Sequence, residues 1–351
     1  MHYPFVSIRF WIMLVGCLSY VQMLAQPSAD SSLYLPLFEE DEVLNLSLQA
    51  DMKALFKDIE DERSYHPAML SYKNEEGDSV QLTVKLKTRG HFRRDRSHCN
   101  CPPIRLNVKK KQVIGTVFEG QDKIKLVTHC QNKRDSYEEH VIHEYFIYRA
   151  YNLFTPYSFR VRLLRLTYLD SSGSFDPMTK YAFLIEDEDH VAERNQGKVL
   201  KDAVIHPDKG HRFLTNQLCV FQYLIGNTDF SIGYQHNVRL LETGPFQPPI
   251  PVPYDFDWSG LVQAPYARPN PKLELGSVTQ RLFRGFCRSE EEFEEGFKPF
   301  RENREALFAL YDELPGLSEK TREKKRKYLE DFFEIIDNPK KVKREFLRRC
   351  R

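Results

Sequence analysis

Val80-Gln81-Leu82-Thr83-Val84-Lys85-Leu86 alternates apolar and polar residues without a break. Strand side chains point alternately to opposite faces, so this pattern predicts a strand with one buried face. Downstream, Ile104, Leu106 and Val108, then Ile124 and Leu126, predict two more short strands. Upstream, Val43, Leu44, Leu46 and Leu48 suggest another, and Asp51 reads as the N-cap of a helix carrying Leu55 and Ile59. The strand-rich stretch runs from about residue 68 to 128.

Further along, Tyr137, Val141, Tyr145 and Tyr148 recur at near-helical spacing and predict a helix over Ser136–Tyr151. Arg160–Tyr168 and Lys180–Ile185 read as strands joined by the polar loop Asp170–Asp176. An apolar helix is expected over Arg212–Ile225, then short strands at Val238–Leu241 and Pro251–Tyr254. From about Ser277 the chain is expected to be helical, with a capping-box pattern at Ser289–Glu292 and helix starts at Ser318 and Asn338-Pro339. Strand-rich first half, mixed middle and helical end predict an α+β arrangement, compatible with two lobes and a cleft between them.

The chain has 351 residues, 41% hydrophobic and 29% charged, the balance of a globular protein rather than a disordered one. Lys plus Arg is 51 and Asp plus Glu is 50, so overall charge selects no partner. Residues 319–351 hold thirteen Lys or Arg against seven Asp or Glu. No aromatic series is interleaved there, so a solvated helix face is expected rather than a nucleic-acid site. Past the N-terminus no apolar run is long enough to span a bilayer. Residues 1–26 read as a signal peptide: Arg9 precedes an apolar run that ends at Ala25-Gln26-Pro27. A retained anchor helix is the alternative, and Leu14-Val15-Gly16-Cys17 also resembles a lipobox, with lipidation at Cys17 as a minority reading. The expected destination is export, to periplasm, cell surface or medium, with no stable membrane span after cleavage. Six cysteines would remain, an even number that permits disulfides without fixing their connectivity. His98-Cys99-Asn100-Cys101 with His129-Cys130 lacks the spacing usual for a zinc knuckle, so disulfides or buried thiols are expected there.

Three clusters carry candidate chemistry. Between Lys85 and Lys111 lie ten Lys or Arg, among them Arg89, Arg93 and Arg105, opposed only by Asp95. Forked guanidinium donors at a strand-to-loop junction suit an anion such as phosphate, although a basic strand edge that blocks aggregation has the same composition. The second cluster, Gly226–Asn237, places Asp229 after the apolar helix and Asn237 before a strand. The third is Pro253-Tyr254-Asp255-Phe256-Asp257-Trp258, whose two carboxylates should face opposite ways. Carboxylate and carboxamide oxygens suit magnesium or manganese. His236 reads as a structural residue and Trp258 as a buried one, ahead of catalytic or stacking roles. Asp229, Asn237, Asp255 is the order of kinase machinery: proton acceptor, first metal ligand, second metal ligand. Neither a Walker A sequence nor a G-x-G-x-x-G loop is present.

On Arg89-Gly90 with its basic run, Lys123-Ile124-Lys125-Leu126, Phe183-Leu184-Ile185-Glu186, Asn227-Thr228-Asp229…His236-Asn237 and Tyr254-Asp255-Phe256-Asp257-Trp258, the sequence resembles the CotH (spore-coat protein H) family of atypical kinases over roughly residues 80–260. The resemblance implies a two-lobed atypical protein-kinase-like fold. A strand-rich N-terminal lobe would cover 27–187 and a mainly helical C-terminal lobe 188–351. It implies ATP and Mg2+ or Mn2+ as cofactors, and Ser or Thr of secreted or surface proteins as the acceptor. Asp229 would be catalytic, Asn237 and Asp255 would hold metal, Arg89, Arg93 and Arg105 would contact phosphate, and Glu186 would lie at the adenine side. The gap from Asp229 to His236-Asn237 is longer than the family's, and Cys99–Pro103 interrupts the region of the nucleotide-binding cation. Two alternatives stand beside this reading: a catalytically inactive envelope or surface scaffold, and a metal-dependent phosphoesterase or nuclease using Asp255 and Asp257.

Overall fold

A computed structural model describes Met1, residues 35–201 and residues 203–351. The signal-peptide reading of residues 1–26, Cys17 included, lies outside the described residues apart from Met1. Seven strands close into a barrel: β1 (Leu44–Ala50), β2 (His66–Lys73), β3 (Ser79–Thr88), β4 (Ile104–Asn107), β5 (Lys123–Val127), β6 (Val161–Asp170) and β7 (Met178–Ile185), in the order β1-β2-β3-β4-β5-β7-β6. Neighbours are antiparallel except at the closing seam, where β1 runs parallel to β6 with Leu44 opposite Leu164 and Ala50 opposite Asp170. The alternation read in the sequence becomes the barrel wall. Leu82, Val84 and Leu86 point inward with Leu46, Leu48, Leu106, Leu126, Leu164 and Leu184 and are almost fully buried.

The short helix α1 (Met52–Lys57) starts at Asp51, whose carboxylate accepts the Ala54 N–H at 2.8 Å. A long helix, α2 (Ser136–Asn152), crosses the outside of the barrel. Eleven of its seventeen residues are buried, because it is wedged between Val127, Leu163 and Phe183 of the wall and the rest of the chain. The remainder comprises α3 (Glu188–Arg194), α4 (Arg212–Ile225), α5 (Glu290–Glu302), α6 (Arg304–Asp312), α7 (Glu319–Ile336) and α8 (Pro339–Val342). It also holds a second sheet of β8 (Lys198–Val199), β9 (Val238–Glu242) and β10 (Ile250–Pro253), in the order β10-β9-β8.

This architecture corrects the expectation of an α+β, two-lobed atypical protein-kinase-like fold with a strand-rich N-terminal lobe and a helical C-terminal lobe. The fold is mixed α/β with a closed seven-stranded barrel. Closure depends on β1 meeting β6 across more than a hundred residues, a pairing that local alternation does not encode. The chain from Ser277 also stays irregular until Ser289 caps α5, where the expected capping box forms. Two disulfides are made, Cys99–Cys130 and Cys287–Cys350, while Cys101 and Cys219 are buried thiols. The first bridge removes the zinc reading of that segment. Among the described residues, no helix is long and apolar enough to cross a membrane.

Candidate functional site

Helix α4 ends at Gly226, whose φ of +65° is the left-handed conformation of a helix stop. The Asn227 N–H reaches back to the Gln222 carbonyl at 2.8 Å, and a Cβ at Gly226 would lie 2.1 Å from the Tyr328 hydroxyl. Only glycine fits this corner. It turns the chain outward, and the Asn227 side chain then accepts the Asp229 N–H at 2.9 Å. Ser231 and His236 close the loop with two backbone hydrogen bonds.

Asp229 and Asn237 meet. Asn237 Nδ2 donates to the Asp229 carbonyl at 2.8 Å and to its Oδ2 at 3.0 Å, while His236 Nε2 lies 3.0 Å from Oδ1. The third loop is tied in through backbone: the Tyr254 N–H donates to the Asn237 carbonyl, and Gly260 and Leu261 donate to Gly226 and Ile225. Asp255 therefore emerges beside Asn237. Its N–H donates to the hydroxyl of Tyr148 on α2 at 2.8 Å. Its carboxylate is exposed, and no described donor reaches either its oxygens or Asn237 Oδ1. Among the described residues seven non-glycines have φ in the left-handed region, and Gln235, Asn237 and Asp255 are three of them. Three of the seven thus lie where the polar side chains converge.

Asp257 is buried while Asp255 is exposed; β10 ends at Pro253 and Asp255 has a φ of +61°, so this difference does not come from the strand alternation expected there. Asp257 accepts the Tyr266 hydroxyl at 2.8 Å. Burial, then the Asp255 charge, push its carboxyl up to about 7. Glu144 of α2 is likewise buried, and its carboxyl is pushed well above the usual range by burial and by Asp257 and Asp255. Arg93 is the cation that offsets both, and it also donates to the Thr128 carbonyl. Arg93, His140, Glu144, Asp257 and Tyr266 line a cavity of about 10 Å3, close to the least that holds one water.

The charges of Asp255 and Glu144 act on Arg89 without a direct ion pair, and its buried Nε has no hydrogen-bond partner among the described residues. Arg105 belongs to a row that sequence reasoning did not pick out. Lys87, Arg105 and Lys125 sit opposite one another on β3, β4 and β5, so all three project from one face of the barrel. Lys125 ends the row against Tyr254, 5.3 Å from the ring centroid. Burial, then the nearby Arg89, lower its ammonium to about 8. Like charges directly opposite each other are unfavourable, and here Glu188 and Asp187 act on Lys125 and Asp58 on Lys87 from either end of the row. Every second residue of the Lys123–Leu126 strand faces out, which was the available signal for Lys125. Its neighbours across the barrel were not readable without the register.

Glu186 is placed differently. It is fully buried, with Oε2 accepting the Arg160 N–H at 2.9 Å and Oε1 accepting Arg194 Nε at 2.9 Å, so its carboxylate is committed inside the protein. Trp258 is partly buried and packs edge-on to Phe92. Elsewhere, a hollow of about 1140 Å3 opens beside β1, β2 and the 115–119 loop. None of the predicted site residues lines it, and Glu39, Glu40, Glu42, Glu75, Glu76 and Glu119 give it the wrong charge for a phosphate.

Among the described residues no three His, Cys, Asp or Glu side chains form a metal-holding group. The donors at hand are the free Asp255 carboxylate and the free Asn237 amide oxygen. Such a pair fits a hard cation that keeps water and phosphate oxygens as its remaining ligands. Compared with known proteins, the chain matches no family profile and no curated sequence.

Proposed function

We propose that this chain is an exported, ATP-dependent phosphotransferase that modifies Ser or Thr hydroxyls of secreted or surface proteins with Mg2+ or Mn2+. One observation carries the reading: Asp229 and Asn237 are hydrogen-bonded, the charge of neighbouring Asp255 acts on Arg89, and Lys125 lies over Tyr254 beside Asp255, so acid, amide and cation come together in one region. Asp229 takes the acceptor hydroxyl proton, oriented by Asn237 and His236 on its two oxygens. Asn237 and Asp255 hold the divalent cation, which when bound supplies charge neutralisation to the phosphates. Arg89 and Lys125 meet phosphate oxygens, with Arg105 behind them in the row. Arg93 keeps the Glu144–Asp257 pair compensated rather than touching substrate.

The test is transfer of labelled γ-phosphate to Ser- or Thr-containing exported proteins with Mn2+ or Mg2+, together with thermal shift by ATP and metal. Transfer lost in Asp229→Ala, with the ATP shift kept, supports the reading. A wild-type shift without transfer leaves a nucleotide-binding scaffold. No shift and no transfer reject nucleotide chemistry altogether.

A further inference from the structure

The chain between Ser277 and Ser289 has no regular structure apart from turns, yet its arginines are tightly engaged. Arg281 donates to the Leu224 carbonyl in the last turn of α4 at 3.2 Å from both Nε and Nη2, and stacks 3.7 Å from the centroid of the Tyr328 ring. Arg284 goes one step further along the same loop. Its Nη1 donates to the Thr228 carbonyl and, at 2.9 Å, to the Phe230 carbonyl, the carbonyls of the residues before and after Asp229. The guanidinium lies 5.3 Å from the centroid of the Phe230 ring, and its buried Nε has no partner among the described residues. One guanidinium nitrogen bridging the carbonyls of residues 228 and 230 restrains the backbone of residue 229 between them.

The Arg284 segment is itself held from behind. Cys287, three residues on, is bridged to Cys350, and the two strands of this join are laced by backbone. The Arg351 N–H donates to the Gly285 carbonyl at 3.0 Å, and the Cys287 N–H donates to the Arg351 carbonyl at 3.1 Å. A Cβ at Gly285 would lie 2.3 Å from the Phe283 ring, so the segment is pressed onto its own aromatic core. Asp229 and Arg351 are the charged groups facing Arg284, with the Cys219 thiol beneath.

We propose that Arg284 is a positioning residue for Asp229, gripping the carbonyls on either side of it, and that the Cys287–Cys350 bridge keeps the grip in register. The inference rests on the reading of Asp229 as proton acceptor for its catalytic consequence, but the grip itself can be measured without catalysis. It links two features of the chain that the Asp229–Asn237–Asp255 set leaves unused: the distant arginine cluster and the second disulfide.

The experiment uses the full, oxidised chain and the variants Arg284→Gln, Arg284→Lys and Cys287→Ser/Cys350→Ser. Hydrogen exchange is followed at residues 228–231, and kcat and KM for ATP are measured with Mn2+. The expected result for Arg284→Gln is amide exchange about tenfold faster at 229–231 with the barrel amides unchanged. Its kcat should fall about 10–100-fold with KM for ATP within about twofold. Arg284→Lys should recover part of both, and the double serine variant should show a smaller change of the same kind. Unchanged exchange in Arg284→Gln overturns the proposal. So does faster exchange throughout the protein in both arginine variants, which would make Arg284 a general packing residue. If wild type transfers no phosphate, the phosphotransferase reading fails, and the grip stands or falls on the exchange data alone.

Discussion

The inside of the barrel and the loops that meet α2 obey opposite rules. Inside, leucines and valines from seven strands interdigitate, and the ladder satisfies the backbone. At the loops, residues 229–237 and 255–257 combine left-handed backbone with the buried carboxyl of Asp257, against Glu144 of α2 and Arg89 with its unpartnered Nε. One region is what folding favours. The other persists only because the first, and the helices around it, hold it in place. The difference separates residues that can be judged by burial from residues that must be judged by what they could do.

Four measurements would break or sharpen this contrast. The largest effect is expected at Asp229: Asp229→Ala should lower phosphate transfer by about 10²–10⁴-fold, the usual range for a general base, with the thermal midpoint almost unmoved. A large drop in the midpoint would place Asp229 with the structural residues instead. Next comes Leu106→Ala inside the barrel, where Leu106 is 1% exposed. It should cost about 2–5 kcal/mol in urea unfolding and leave the ATP midpoint shift in place.

A pH experiment on Asp257 comes third. Its carboxyl is held at about 7 in the folded chain, against about 3.9 when unfolded. The folded state therefore keeps a proton that the unfolded state has lost. Stability is fully present below about pH 4 and declines as pH rises to about 7. Asp257→Asn still offers an oxygen to Tyr266 and should lack this decline. Urea midpoints of the two proteins should converge at low pH and separate in favour of the variant by pH 8. Parallel profiles would show that the carboxyl is not perturbed. The smallest effect is at the surface: Asp51→Ala removes the cap of α1 and should cost about 1 kcal/mol without altering transfer.

What the sequence made legible follows the range of the interactions. Helix α4 spans Arg212–Ile225 as its apolar run predicts, and α2 starts at Ser136. β3, the Asp51 cap and the Ser289 capping box also rest on near neighbours. The closure of β1 on β6 was not legible, because a strand's side-chain period says which face is buried but not which strand lies beside it. The same limit hid the Lys87–Arg105–Lys125 row, which exists only through register. Asp229, Asn237 and Asp255 stood out because each occupies the boundary of a predicted element. Arg284 did not: it lies in a stretch read as helical, and its partners are carbonyls, which carry no sequence signature. Cysteine pairing likewise depends on which loops come together, and spacing alone left it open.

Because the barrel is a full ring, each of its strands is already bonded on both sides. A visiting polypeptide cannot lengthen that ring by lying alongside it as an eighth member, the route by which many sheet proteins capture extended peptides. Recognition of another chain at the barrel must then be written in side chains, which makes it sensitive to ionic strength and to single charge reversals. A partner dependent on the Lys87, Arg105 and Lys125 face would be released by salt.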